Sequence, residues 1–260
     1  MQAAQPPGPP ANPGRVLSPV LPAWRRPLAV VAHPDDETFG LGALISQMAA
    51  AGASVHILCY THGEASTLNQ NHADLRRQRE HELRQASAAL GAAGITLLDY
   101  PDGRLAVQPA GDLANRVTAL AARHRADGLL AFDDTGITGH TDHRAATAAA
   151  VLAGTALALA VLAWALSADV ADRLRAQTAQ PFAGRPPGCL DFRVPVDRAC
   201  QRRAAWLHAS QISPAAVLWR RLELQGDTEH LRWVLPPAGA AYRPGRTGRA
   251  ATSGSVPIYP

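Results

Sequence analysis

Lysine is absent from the 260 residues of this chain, so all 25 basic residues are arginines. A protein without lysine cannot form a Schiff base with its substrate, use Ser–Lys catalysis or place a Walker-type lysine on a phosphate. The three cysteines, Cys59, Cys189 and Cys200, are scattered and form no C-x-x-C pair. We interpret them as reduced, packed thiols and predict a cytoplasmic protein.

An excess of basic charge is also missing from the centre of the chain, although the net charge is +4. The two ends, residues 1–26 and 236–260, have no acidic residue and contain six arginines: Arg15, Arg25, Arg26, Arg243, Arg246 and Arg249. The remaining residues carry 19 basic and 21 acidic side chains. This balance does not indicate a nucleic-acid-binding surface.

Long apolar runs are scarce, and none in residues 1–22 is long enough for a secretory signal. The segment Ala145–Leu166 is the one that resembles a membrane span. It is mostly alanine, and Gly154 and Thr155 interrupt it. We therefore predict no membrane span here, but a buried helix followed by a strand around Leu157–Leu166.

The order of apolar and amphipathic segments predicts one α/β domain over residues 27–235. We expect a disordered Pro/Gly-rich tail over 1–26 and a flexible basic tail over 236–260. Predicted strands are Pro27–Ala32, Ser54–Tyr60, Ile95–Tyr100, Gly128–Phe132 and the one near Trp164, and predicted helices are Gly40–Ala51, Ala73–Leu90, Asp112–Arg123 and a segment after His143. Strands and helices that alternate in this way indicate a Rossmann-like, mostly parallel sheet with helices on both faces. The first strand lacks a G-x-G-x-x-G turn, so a dinucleotide site is not favoured.

Charged side chains follow the first predicted strand directly, in the sequence His33-Pro34-Asp35-Asp36-Glu37. Carboxylates buried at the end of a strand need a cation to compensate them. His33 and Asp36 are three residues apart, close enough in a tight turn to bind one metal ion. The adjacent carboxylates also allow one to act as ligand and the other as proton acceptor.

A second cluster follows the fourth strand, where His140-Thr141-Asp142-His143 comes after the loop 135–139. In doubly wound sheets, functional groups gather at the carboxyl ends of the strands. One of these two histidines would complete a His₂Asp set with an open position for water, which is the usual plan of a catalytic zinc site.

Together these motifs resemble the PIG-L/LmbE family of zinc-dependent N-acetylglucosaminyl deacetylases. Supporting similarities are Thr61–Ala65, Arg79-x-x-Glu82-Leu83, Tyr100–Gly103 and His208-Ala209-Ser210-Gln211. The resemblance covers about residues 28–235. It implies hydrolysis of an N-acetyl group on a small amino-sugar conjugate. Zinc is the implied metal, and Fe(II) suits the same ligands.

The resemblance also implies a role for each motif residue. The metal ligands would be His33, Asp36 and His143, and Asp35 would be the general base. His140 would stabilise the oxyanion as a cation, and Asp142 would orient a neighbouring histidine. Arg79 and Asp102 match positions that contact the sugar.

Simpler interpretations exist for several of these residues. Asp35 and Asp142 suit the first turn of a helix, Arg79 suits a solvated helix face, and Asp102 suits a turn. We assign packing to His208.

The alternatives for the whole chain are an amidase that cleaves a larger N-acyl group or an amide in a thiol conjugate or antibiotic, and a non-catalytic metal- or sugar-nucleotide-binding protein. Relatives often have an aromatic residue where this chain has Ile137-Thr138-Gly139, so the preferred substrate is open. The sequence predicts no oligomeric state.

Overall fold

A mostly parallel sheet forms the centre of the computed structural model, which describes residues 16–68 and 74–239. Its strands are β1 (Pro27–Val31), β2 (His56–Thr61), β3 (Gly94–Tyr100), β4 (Gly128–Phe132), β5 (Val161–Ser167), β6 (Gly184–Arg185), β7 (Phe192–Pro195) and β8 (Thr228–Leu235). The strand order is β3-β2-β1-β4-β5-β8-β7, and the short β6 pairs with β5. Strands β1 to β5 are parallel to their neighbours, whereas β8 runs antiparallel to both β5 and β7. The predicted α/β class with a mostly parallel sheet is confirmed.

Helices cover both faces of this sheet, as predicted. They are α1 (Asp36–Phe39), α2 (Gly42–Ala50), α3 (Leu75–Ala89), α4 (Ala110–His124), α5 (Gly136–Gly139), α6 (Thr141–Leu157), α7 (Ala168–Gln177), α8 (Ala199–Ala205) and α9 (Val217–Gln225), with short 3₁₀ turns at Leu105–Val107 and Pro187–Cys189. Successive residues of a strand point to opposite faces. Ala29 and Val31 therefore pack in the core beneath α2 and α3, whereas Leu28 and Val30 pack in the core beneath α4 and α6.

The boundary between α6 and β5 differs from the prediction. Gly154 does not end the helix, which continues to Leu157 and ends at Ala158 in the left-handed region, with φ 55°. A Cβ on Gly154 would lie 2.8 Å from both the Leu159 carbonyl oxygen and a methyl group of Val161. The glycine permits close packing of helix on strand, and the predicted break at Gly154 is wrong. No helix in the described part of the chain is long and apolar enough to cross a membrane.

Part of the segment that we assigned to the N-terminal tail contacts the domain. Ser18 forms a β-bridge with Phe192, and the Trp24 ring lies 6.0 Å from that of Trp233, measured between centroids. The backbone N–H groups of Arg25 and Arg26 donate to the Asp127 carboxylate. Ordered packing therefore begins before residue 27. The rest of the predicted N-terminal tail, residues 1–15, and residues 240–260 of the predicted C-terminal tail 236–260 lie outside the described residues.

His56 generates a prediction about the pH dependence of stability. Its ring stacks on that of His124 with a centroid distance of 3.8 Å. Burial, followed by the charges of His124 and Arg123, lowers the pKa of His56 from 6.5 to about 4. Between these values the unfolded chain takes up a proton that the folded chain does not, so acid favours unfolding. We expect His56→Gln to lose less stability than the parent between pH 6.5 and pH 4, as measured by chemical denaturation.

The matched control is His81→Gln, since His81 is exposed on α3. An unchanged pH dependence in His56→Gln, or an equal change in His81→Gln, would contradict this assignment.

Candidate active site

The predicted site residues meet at the carboxyl ends of β1 and β4, which are neighbours in the sheet. From β1 the chain continues to β2 on one side, and from β4 it continues to β5 on the other. Such a reversal leaves a crevice at the strand ends where doubly wound proteins bind ligands. His33 and Asp36 enter it from the turn after β1, and His140 and His143 enter from the turn after β4.

The turn after β1 is held in an unusual conformation by its own carboxylates. Asp35 has φ 116°, in a region that side chains rarely adopt. One oxygen of Asp36, Oδ2, accepts the backbone N–H groups of Ala32 and His33 at 3.2 and 3.0 Å. Its other oxygen, Oδ1, lies 3.1 Å from Nε2 of His143. The turn therefore directs one carboxylate oxygen into the crevice.

The turn after β4 orients His143. The Asp133 carboxylate accepts hydrogen bonds from the backbone N–H and the hydroxyl of Thr135. The guanidinium groups of Arg185 and Arg232 pair with the same carboxylate and hold it in place. The Gly136 carbonyl oxygen lies 3.2 Å from Nδ1 of His143. A proton on Nδ1 leaves Nε2 with a free lone pair, as a metal-ligating histidine requires.

Three imidazole rings face one another in the crevice. The ring centroids of His33 and His143 are 5.2 Å apart, and His140 lies 4.8 Å from His33 and 4.6 Å from His143. Ring nitrogens of the three residues lie within 4.8 Å of one another, as do atoms of a second group formed by His33, Asp102 and Asp142. Asp36 lies between the two predicted histidine ligands. Its Oδ2 is 3.5 Å from His33 Nδ1, and its Oδ1 is 3.1 Å from His143 Nε2. The predicted ligands His33, Asp36 and His143 contact one another in pairs. Among the described residues, the two groups with all their ligand atoms within 4.8 Å contain His140 or the pair Asp102 and Asp142, and neither contains Asp36. The predicted ligand set therefore stays a prediction.

His33 offers a direct test of whether a cation fits here. Its Nε2 is buried without a hydrogen bond, between Asp102 Oδ1 at 3.1 Å and Asp142 Oδ2 at 3.5 Å. Burial would lower the pKa of His33, but its three carboxylate neighbours raise it well above the usual value. A metal ion satisfies the same demand for positive charge, so the donor set suits a divalent cation.

Asp142 and Asp102 both support His33. Asp142 is fully buried and accepts backbone N–H groups from Gly103 and Leu105 at 2.8 and 3.0 Å, so it ties the loop after β3 to the site. Asp102 accepts the N–H of Ala65 at 2.9 Å through its other oxygen. We predicted Asp102 as a sugar contact, and in this structure its carboxylate faces His33.

Arg79 does not lie on a solvated helix face. It is buried and holds the carboxylate of Asp35. Its guanidinium is buried and donates to Asp35 Oδ2 at 3.0 Å, to the Gly63 carbonyl oxygen at 2.5 Å, and to that of Pro34. A Cβ on Gly63, which has φ 66°, would lie 2.1 Å from Arg79 Nη1, so the glycine lets the guanidinium approach the backbone in this position. Burial raises the pKa of Asp35 to about 6, although the Arg79 charge opposes this.

His140 caps helix α6 and is exposed at the rim of the crevice. Its Nδ1 accepts the backbone N–H of Asp142 at 3.3 Å, which assigns the proton of the neutral ring to Nε2. Burial lowers the pKa of His140, and the charges of His143 and His33 lower it further. Both effects oppose the predicted cationic form of His140, and its role stays a prediction.

Sequence reasoning missed the residues behind the turn. Glu37 and His208 are fully buried and lie 2.7 Å apart, measured from Oε1 to Nε2. We had assigned packing to His208 on a helix, whereas it follows the end of α8 and forms this ion pair. The only signal was that Glu37 and His208 both lie within motifs of the family.

Comparisons with known proteins identify the family of this chain. The family model described as PIG-L, GlcNAc-PI de-N-acetylase, matches residues 28–153. A 1D-myo-inositol 2-acetamido-2-deoxy-alpha-D-glucopyranoside deacetylase from Nakamurella multipartita is 32% identical, with 72% of this chain and 80% of that protein covered. The chain belongs to the PIG-L family. Over the first curated relatives that it matches, it spans about half of their length, between 42% and 49%.

Solved structures share the PIG-L fold at low identity. The N,N'-diacetylchitobiose deacetylase from Pyrococcus horikoshii has a TM-score of 0.62 and 20% identity, with 82% of this chain and 84% of that chain covered. A 4-carboxy-2-hydroxymuconate hydratase from Pseudomonas putida has a TM-score of 0.63 and 17% identity, with 84% of this chain and 100% of that chain covered. Because a hydratase shares the fold, the residues of the site must decide the reaction.

The clamp of Arg79 on Asp35 predicts a large effect on stability. Arg79→Met removes the buried cation and leaves the Asp35 carboxylate and two carbonyl groups without their donor. We expect the free energy of unfolding to fall by on the order of 3 kcal/mol in urea denaturation.

The control is Arg77→Met on the same helix, where the side chain is 87% exposed and pairs with Asp74. This change removes only a surface ion pair, for which we expect a loss below about 1 kcal/mol. Equal losses in the two variants would contradict the clamp.

Proposed function

We propose that this protein is a metal-dependent N-deacetylase that removes an N-acetyl group from a small N-acetylglucosamine-type conjugate, releasing acetate and a free amine. The observation that carries the proposal is the position of Asp35. A partly buried carboxylate, clamped by Arg79, lies directly beside a set of side chains suited to a divalent cation. The printed activities of the deacetylase relatives support the same reaction class.

We assign the metal to His33, Asp36 and His143. The hydrogen bonds described above leave Asp36 Oδ1 and His143 Nε2 directed at each other across 3.1 Å, where an ion would separate them. Two imidazoles and one carboxylate suit zinc, and they suit Fe(II) as well. A bound cation would lower the pKa of water and polarise the carbonyl group of the amide.

Asp35 is the proposed general base. It accepts a proton from the attacking water as the oxygen adds to the acyl carbon, and it returns that proton to the amide nitrogen as the carbon–nitrogen bond breaks. The raised pKa of Asp35, about 6, suits a group that both takes and gives a proton near neutral pH. Arg79 limits this increase and fixes the direction of the carboxylate.

His140 is the proposed donor to the carbonyl oxygen. With Nδ1 engaged by the Asp142 backbone, its Nε2–H is available for the negative charge that develops on that oxygen. Asp142 acts behind the ligands, since its carboxylate faces His33 and anchors the loop 103–105. Arg79 and Asp102, predicted as sugar contacts, face protein groups in this arrangement, and we assign them to positioning Asp35 and His33.

The test combines metal content with amine release from a panel of N-acetylglucosamine conjugates. We expect about one metal ion per chain in the parent and amine release from at least one member of the panel. Asp35→Asn keeps the shape of the side chain and removes the base, so it should retain the metal and lose about 10²-fold or more in kcat. Asp169→Asn, an exposed change on α7, is the matched control and should behave as the parent does.

The possible outcomes separate the alternatives. Full activity in Asp35→Asn would contradict the base, and folded protein that binds no metal would contradict the site. Metal without amine release from any sugar would instead favour an amidase for a larger N-acyl group or a non-catalytic binding protein.

The predicted cytoplasmic location is consistent with the three cysteines, which are free thiols in the described chain.

A further inference from the structure

A fully buried ion pair connects distant parts of the chain behind the candidate active site. Nε2 of His208 lies 2.7 Å from Oε1 of Glu37, and both side chains have 0% exposure. The two residues are 171 positions apart in the sequence. A buried carboxylate is costly even when it is paired, and a well-packed apolar pair often gives equal or greater stability. Stability alone is therefore a weak reason for this pair.

Glu37 shares its carboxylate between His208 and the turn after β1. Its second oxygen, Oε2, accepts the backbone N–H of Asp35 at 2.9 Å, and the Thr38 hydroxyl donates to Oε1 at 2.6 Å. The bond to Asp35 holds the residue that has φ 116°. Because such a conformation persists only where its surroundings enforce it, Glu37 is one of the groups that fix the backbone of Asp35, together with Arg79.

The residues after His208 connect to two further parts of the site. Ser210 donates from its backbone and hydroxyl to the Glu82 carboxylate at 2.9 and 2.6 Å, one helical turn after Arg79. Gln211 accepts a hydrogen bond from Ser66 at 2.7 Å, in the loop that follows β2. The segment His208–Gln211 therefore contacts three elements that surround Asp35 and Asp36.

We propose that His208 is a positioning residue, which acts through Glu37 to hold the turn His33–Asp36 in the geometry that binds the metal and directs the base. This inference rests on the proposed function for its catalytic part. Its metal-binding part is independent of the substrate. Without the His208 donor, the Glu37 carboxylate is left buried without one of its hydrogen-bond partners, so we expect it to shift and to release the Asp35 backbone.

The test compares His208→Ala and His208→Gln in the full chain, with zinc affinity measured by competition against a chelator. Glutamine can present an N–H donor to Glu37, whereas alanine cannot. We expect zinc affinity to fall about 10–100-fold in His208→Ala, and we expect most of it to return in His208→Gln. In protein loaded with metal, kcat should fall while KM stays near the parental value.

Leu218→Ala is the matched control, because Leu218 is buried near this segment in a separate apolar cluster. It should lower the melting temperature without altering zinc affinity. Where His208→Ala does not fold, Glu37→Gln tests the same link, since an amide cannot accept hydrogen bonds through both of its terminal atoms.

Parental zinc affinity in folded His208→Ala, or an equal loss in Leu218→Ala, would overturn the inference. A parent that binds zinc but releases no amine would contradict only the proposed function, and the affinity comparison would still decide the role of His208.

Discussion

The structure around the crevice depends on how negative charge is compensated inside a folded protein. Asp36, Glu37 and Asp142 are buried, and Asp35 is partly buried beside them. Isolated carboxylates are very unfavourable in such surroundings. The protein answers with fixed partners for two of them, Arg79 for Asp35 and His208 for Glu37. The other two carboxylates, those of Asp36 and Asp142, face His143 and His33, and this arrangement supports the proposed metal site.

These partners differ in how far along the sequence they lie from the carboxylates that they hold. Backbone N–H groups of the same turn hold one oxygen of Asp36, while Arg79 comes from helix α3 and His208 comes from beyond α8. Parallel strands bring the two histidine-containing turns to one edge of the sheet, and the more distant partners fix their orientation. Position and orientation of the reactive groups therefore have separate structural causes.

The sequence was sufficient for the local part of this arrangement. Apolar runs predicted the parallel strands, and the motifs after β1 and β4 identified the residues that meet in the crevice. It was not sufficient where a side chain contacts a residue far away in the sequence. Neither the contact of Arg79 with Asp35 nor the pairing of Glu37 with His208 can be predicted from a periodic or local sequence pattern. Gly154 was misread for a related reason, because packing of α6 on β5, rather than its local conformational preference, explains the glycine.

Asp133 and the two arginines that hold it, Arg185 and Arg232, connect the parts of the chain before and after residue 153. All the proposed ligands, the base and the oxyanion donor lie within residues 28–153, the part that the family model matches. The arginines that hold Asp133, and through it the turn that orients His143, are Arg185 and Arg232. A fragment ending near residue 153 would contain every reactive group and lack the cations that keep one of its turns in place. The segment that the family model matches therefore depends on residues beyond it, and the part of the chain after residue 153 supplies some of the scaffold of the proposed site.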